Sequence, residues 1–244
     1  MANQPCTAIV TGAAKRVGRA IAEALLADGW TVVAHVHRDS DSVLNGAVGI
    51  AANLEEPGAA ERIFAVTDDL PPVRLLVNNA ARFSADSLGC VDARELEAHM
   101  AVNLRAPVTL TERLAERHRD GDALVVNMLD AKLAAPNPDF LSYTLSKQAL
   151  AGFTELAARA LAARCIRVNG IAPALMLRSP GQDEDNFKAM HGFNPIARGV
   201  EPGDVVEALR YLIGAQAVTG QIITIDGGQR FWALPRDVQF LERP

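Results

Sequence analysis

The stretch NMLDAKLAAPNPDFLSYTLSK, residues 127–147, carries a phenol and an amine four positions apart, Tyr143 and Lys147. Four residues make about one helical turn, so on a helix the two side chains share a face. A phenol normally keeps its proton well above neutral pH. An ammonium beside it favours the phenolate, so Lys147 is expected to lower the Tyr143 pKa and ready it for proton exchange. Two ordinary helix residues show the same spacing by chance, so the pair needs company. Asp130, thirteen residues before Tyr143, offers it in one of two ways. Its carboxyl group either meets the same reacting atoms or turns aside to cap the following AKLAAP segment.

A second group of residues suits a dinucleotide. An early apolar run leads into TGAAKRVGRA, residues 11–20. A glycine-containing turn between strand and helix lets backbone N–H groups meet a pyrophosphate at the positive end of the helix. A tight connection alone would also look like this. The next apolar run, however, ends in HVHRDS, where this arrangement meets the adenosine ribose. His37 and Arg38 there, with Lys15 from the turn, suit a 2'-phosphate, while Asp39 opposes one. NADP(H) is therefore expected over NAD(H). His35 and His37 alternate as metal ligands can, but no third ligand has matching spacing, and no metal site is expected.

These residues need a scaffold that brings them to one edge. The runs CTAIV, TVVAHVH, AVGIAAN, VRLLVNN, ALVVNML, CIRVNGIA and QIITID read as strands, several nearly continuous in apolar residues, as strands covered on both faces are. Amphipathic stretches lie between them. In VGRAIAEALLADG, Val17, Ile21 and Leu25 share a face and Gly29 supplies the stop. The longest helical candidates are residues 92–118 and 142–164. Regular alternation predicts an α/β fold, one doubly wound, Rossmann-type domain over residues 1–244 with a seven-stranded parallel sheet. Residues 175–200, polar and punctuated by Gly and Pro, interrupt the alternation where a substrate lid would sit. On that scaffold NNA (78–80), Asn103 and NGIAP (169–173) fall near the carboxyl edge.

Composition sets limits. A chain of 244 residues with 49% hydrophobic and 22% charged residues sustains a large core. A net charge of −5 gives no reason to expect nucleic acid or an anionic membrane as partner. Cys6, Cys90 and Cys165 are odd in number and widely spaced, and read as reduced, buried thiols of a cytoplasmic protein. No signal peptide or membrane-spanning run is visible.

The order TG…KR.G, NNA, N, YxxxK, N..AP and a closing TGQIITIDGG resembles the short-chain dehydrogenase/reductase family along essentially the whole chain. Members usually carry three glycines in the first turn and a serine thirteen residues before the tyrosine. Here Arg16 stands at the middle glycine and Asp130 at the serine. Both departures, the HRS-like strand end and Phe83 shortly after NNA are similar to the pteridine reductase branch. The resemblance implies NADPH held by Gly12, Lys15, Arg16, Val17, Gly18, His37, Arg38, Asn53, Leu54, Asn79, Ala80, Ala81, Met128, Tyr143, Lys147 and Pro173. It implies a pterin or related small-molecule heterocycle held by Arg16, Phe83, Asp130 and Tyr143. Tyr143, Lys147, Asp130 and Asn103 would carry the chemistry, with Phe83 stacking on the ring and Asn103 supporting a water relay to Lys147. It also implies a homotetramer, for which the two long helices carry more apolar surface than one sheet face needs. A carbonyl or 3-oxoacyl reductase, for which Asp130 is an obstacle, and a non-catalytic NADP(H)-binding regulator are the competing readings.

Overall fold

The computed structural model describes residues 5–179 and 181–241. All seven expected strands form: β1 Thr7–Val10, β2 Thr31–Val36, β3 Val48–Ala51, β4 Val73–Asn78, β5 Ala123–Met128, β6 Ile166–Pro173 and β7 Ile222–Ile225. They make one sheet in the order β3-β2-β1-β4-β5-β6-β7, every pairing parallel. Parallel neighbours need a crossover between them, and the helices of those crossovers cover both faces. Successive strand residues therefore alternate between two cores. Val10, Ala34, Val77 and Val126 meet Ile21 and Leu25 of helix α1 (Arg16–Ala27) and Val205 and Leu209 of α7 (Pro202–Gly214). Ile9, Val33, Leu76 and Val125 meet Ile63 and Phe64 of α2 (Ala59–Ala65). The same core takes in Leu110 and Leu114 of α4 (Ala106–Arg117) and Ala157 of α5 (Leu141–Leu161). Helix α1 ends as its sequence requires: Gly29 has φ +86°, and its N–H bonds the Leu26 carbonyl.

Two expectations about elements change. Residues 92–118 do not form one regular helix. Helix α3 (Ala93–Met100), capped by the Asp92 side chain, passes into a π turn at Ala101–Arg105 before α4 begins. Pro107 explains the defect, because it has no N–H for the Asn103 carbonyl four residues back. The cysteines are not all buried either: Cys90 and Cys165 are exposed. Cys90 lies in the loop before α3, and Cys165 takes a left-handed φ of 56° where the chain turns into β6. Residues 175–200 form an irregular segment containing α6 (Glu184–His191), with residue 180 outside the described set. No helix among the described residues is long and apolar enough to cross a membrane.

Candidate active site

Strand order reverses between β1 and β4, the point where an open parallel sheet leaves a crevice at its carboxyl edge. The ends of the two strands are stitched together. Thr11 Oγ1 accepts the Asn79 and Ala80 N–H groups at 2.9 and 3.0 Å, and Asn79 Nδ2 donates to the Thr11 carbonyl at 2.8 Å. Two glycines then become obligatory. Gly12 has φ +66°, and a Cβ on Gly18 would lie 2.2 Å from the Gly12 oxygen and 2.5 Å from Asn79 Nδ2. Helix α1 thereby packs directly against the strand ends, with its first N–H groups facing a cavity of about 900 Å³.

Every residue expected at the cofactor or substrate lines this cavity except Arg38 and Asn103. Arg38 sits on the exposed loop after β2, its N–H bonded to Asp41 Oδ2 at 2.9 Å. His37 and Lys15 therefore form the basic rim. Arg16 stands at the middle position of the turn with φ 55°, a left-handed conformation that explains why glycine is usual there. Its guanidinium donates to the carbonyls of Arg178 and Leu177 at 2.9 and 3.2 Å, tying the turn to the segment expected as a lid. Partial burial lowers its pKa.

The three groups of the opening motif converge. Tyr143 Oη donates to Asp130 Oδ2 at 2.9 Å. Asp130 Oδ1 accepts the Lys132 N–H at 2.9 Å, capping a short 3-10 turn, Ala131–Ala134. Asp130 thus caps the turn with one oxygen and meets Tyr143 with the other. Lys147 Nζ donates to the Met128 carbonyl at 2.6 Å and lies 5.7 Å from the Tyr143 ring centroid. Burial drives the Lys147 pKa down to about 8, against the pull of Asp130. Burial also raises the Asp130 carboxyl, although its bonds from Lys132 and Tyr143 oppose the rise. The Tyr143 phenol is pushed well above its usual value, first by burial and then by the charge and hydrogen bond of Asp130. The lowering expected from Lys147 is thus overturned. The nearest acceptor is a carboxylate, and its charge and hydrogen bond favour the protonated phenol, while burial alone pushes the acid the same way.

Phe83 is in the cavity wall, its ring stacked on Phe140 with centroids 4.4 Å apart and set edgewise to Tyr143 at 4.8 Å. A planar substrate must therefore use a part of Phe83 that Phe140 leaves open. The Asn103 side chain does not point to Lys147. Its Oδ1 accepts the Arg82 N–H at 2.7 Å, and Nδ2 donates to the Arg82 carbonyl and to Ser146 Oγ. Its backbone lies in the π turn.

Sequence reasoning missed several wall residues. His35, considered only as a metal ligand, is buried, and its Nδ1 accepts the Gly12 N–H at 3.2 Å. Its Nε2 lies 2.9 Å from the Ala52 carbonyl and so carries the ring proton. Burial lowers its pKa, keeping the ring neutral as this bonding requires. Lys132, Arg230, Arg236 and Asp237 also reach the cavity. The last three come from the chain end, where no recognisable motif marks them.

Comparison with known proteins agrees with this fold. A family model described as Enoyl-(Acyl carrier protein) reductase matches residues 12–230. Pteridine reductase 1 of Leishmania tarentolae is 32% identical, over 91% of this chain and 95% of its own length. The 3-oxoacyl-(acyl-carrier-protein) reductase of Synechocystis is 27% identical over 91% of this chain and 95% of its own. The crystal structure of FolM alternative dihydrofolate reductase 1 from Brucella suis, in complex with NADP, gives a TM-score of 0.85. It is 36% identical, covering 94% of this chain and 96% of that one. Matched along nearly its whole length by the family model and by the Leishmania enzyme, the chain belongs to the short-chain dehydrogenase/reductase family of oxidoreductases.

Proposed function

We propose that this protein is an NADPH-dependent reductase of a C=N bond in a dihydropterin or similar nitrogen heterocycle. The bond from Tyr143 to Asp130 carries the proposal. Gly12 and Gly18 let the glycine turn and helix α1 seat against Asn79 and Ala80, so that the helix N-terminus can meet a pyrophosphate, while Lys15 and His37 suit the extra phosphate of NADPH. The bound cofactor supplies a hydride. The substrate nitrogen then needs a proton, which Tyr143 gives and regains from solvent, while Asp130, accepting the Tyr143 hydroxyl at 2.9 Å, orients that donor. Lys147, whose ammonium lies 5.7 Å from the Tyr143 ring centroid, would hold the ribose. Pro107 denies the Asn103 carbonyl its ordinary helical donor, so any water relay to Lys147 runs through that carbonyl and not through the side-chain amide. A ketone would leave an alkoxide, which an ionised Asp130 opposes.

The pteridine reductase and FolM relatives support this substrate class, and the 3-oxoacyl reductase supports its rival. Steady-state turnover of 7,8-dihydrobiopterin, dihydrofolate and a diketone with NADPH decides between them. Reduction of the diketone alone, without inhibition by diaminopteridines, overturns the pterin reading. Asp130→Ser should lose dihydropterin reduction. We also propose a cytoplasmic homotetramer: Leu145 and Leu156 on α5 and Tyr211 on α7 are exposed, and self-association would cover them. Light scattering that finds a monomer at micromolar concentration refutes the assembly.

A further inference from the structure

The substrate end of the cavity is closed by the chain's last described residues. Leu234, Arg236, Asp237 and Val238 line it opposite Asp130 and Tyr143. Their position is built in. Asp139 is a buried carboxylate whose oxygens accept Arg236 Nε at 2.9 and 2.7 Å and the Asp237 N–H at 2.8 Å. Phe240 stacks on Phe140 at 5.5 Å, extending the Phe83–Phe140 pair, and the Arg236 guanidinium lies 5.2 Å from the Phe240 ring centroid. Asn186 Nδ2, from α6, donates to the Leu241 carbonyl at 3.0 Å. A carboxylate, an aromatic stack and an amide therefore hold residues 236–241 against the site.

Two carboxyl groups now face one space, and their spare capacity differs. Both Asp130 oxygens are engaged, by the Lys132 N–H and the Tyr143 hydroxyl. Asp237 Oδ1 accepts the Gln239 N–H at 3.1 Å, but among the described residues Oδ2 has only the Lys132 ammonium, at 3.6 Å. A carboxylate oxygen accepts two hydrogen bonds and donates none. Asp237 Oδ2 is thus the less committed acceptor at the end of the cavity where the heterocycle would lie. We propose that Asp237 is a specificity-determining residue, accepting a hydrogen bond from the amino-bearing edge of the substrate while Asp130 orients the proton donor. This rests on the pterin reading above.

Asp237→Asn tests it, because asparagine can keep the cap on Gln239 through its oxygen while the charge is lost and the Oδ2 acceptor becomes an NH2 donor. Loss of a charge-assisted bond should raise KM for 7,8-dihydrobiopterin about tenfold or more, with kcat little changed and the NADPH Kd unaltered. A second readout needs no substrate. The titratable groups around Asp130 are Lys132, Tyr143, Lys147 and Asp237, and the Asp237 charge raises its pKa. In ¹³C-carboxyl NMR of the NADP-loaded enzyme, assigned with Asp130→Asn, the Asp130 midpoint should therefore fall in Asp237→Asn. An unchanged KM in an active enzyme overturns the proposal, and so does a matching rise in the NADPH Kd. If wild type reduces no pterin, the functional reading fails on its own. An unmoved Asp130 midpoint then overturns the placement of Asp237 as well.

Discussion

Replacing Lys147 by methionine should stabilise the cofactor-free enzyme near neutral pH while abolishing its activity. Burial takes the Lys147 pKa from 10.5 to about 8. At about 1.36 kcal/mol per pH unit, that disfavours the charged folded form by about 3 kcal/mol. Methionine removes this penalty but leaves the Met128 carbonyl without its 2.6 Å donor, a loss of about 1–2 kcal/mol. The variant should therefore lead by about 1–2 kcal/mol at about pH 6. The sign of the pH dependence follows from the depressed pKa. The unfolded chain holds this proton more tightly than the folded one, so wild type gains stability as pH rises from about 8 towards 10.5. Below that window both states of wild type are protonated, and the gap stays constant. Urea unfolding of both proteins, followed by tryptophan fluorescence from about pH 6 to about pH 9.5, should show the gap closing at the alkaline end. A gap independent of pH over that range, or a variant less stable than wild type at pH 6, refutes a strained buried ammonium.

Three further outcomes can be read with standard assays. Tyr143→Phe should lower kcat by about 10²–10⁴ while NADPH still binds, measured by turnover and by cofactor fluorescence. Lys15→Ala should raise KM for NADPH about tenfold or more with little effect on NADH, whereas Arg38→Ala, outside the cavity wall, should change either by less. Gly18→Ala places a Cβ against the Gly12 oxygen and should cost more than about 2 kcal/mol in denaturant unfolding, together with cofactor affinity.

The sheet was legible in the sequence because strands buried on both faces must be apolar throughout, and each of the seven runs formed its strand. The phosphate turn was legible because glycines at 12 and 18 answer a local demand of φ and space. What failed has a physical pattern. The π turn depends on one missing N–H inside an otherwise helical stretch, which periodicity does not register. The direction of the Tyr143 shift depends on burial and on which group lies within 3 Å. Spacing gave the Lys147 neighbour and could not weigh it against Asp130. Arg236 and Asp237 lie about a hundred residues beyond the Asp139 that holds them, and no local pattern records so distant a partner.

That distance has a consequence for how the protein comes into being. Asp139 leaves the ribosome 97 residues ahead of Arg236. Through that interval its carboxylate lacks the Arg236 guanidinium and the Asp237 N–H, and of its final partners only the Lys132 ammonium is yet made to offset the cost of burying it. The phosphate turn and its two strands can assemble early, from the first third of the chain. The segment that Asp139 anchors cannot dock until residues 236–241 have been made, so a nascent chain should fold its glycine turn well before that wall of the cavity is in place.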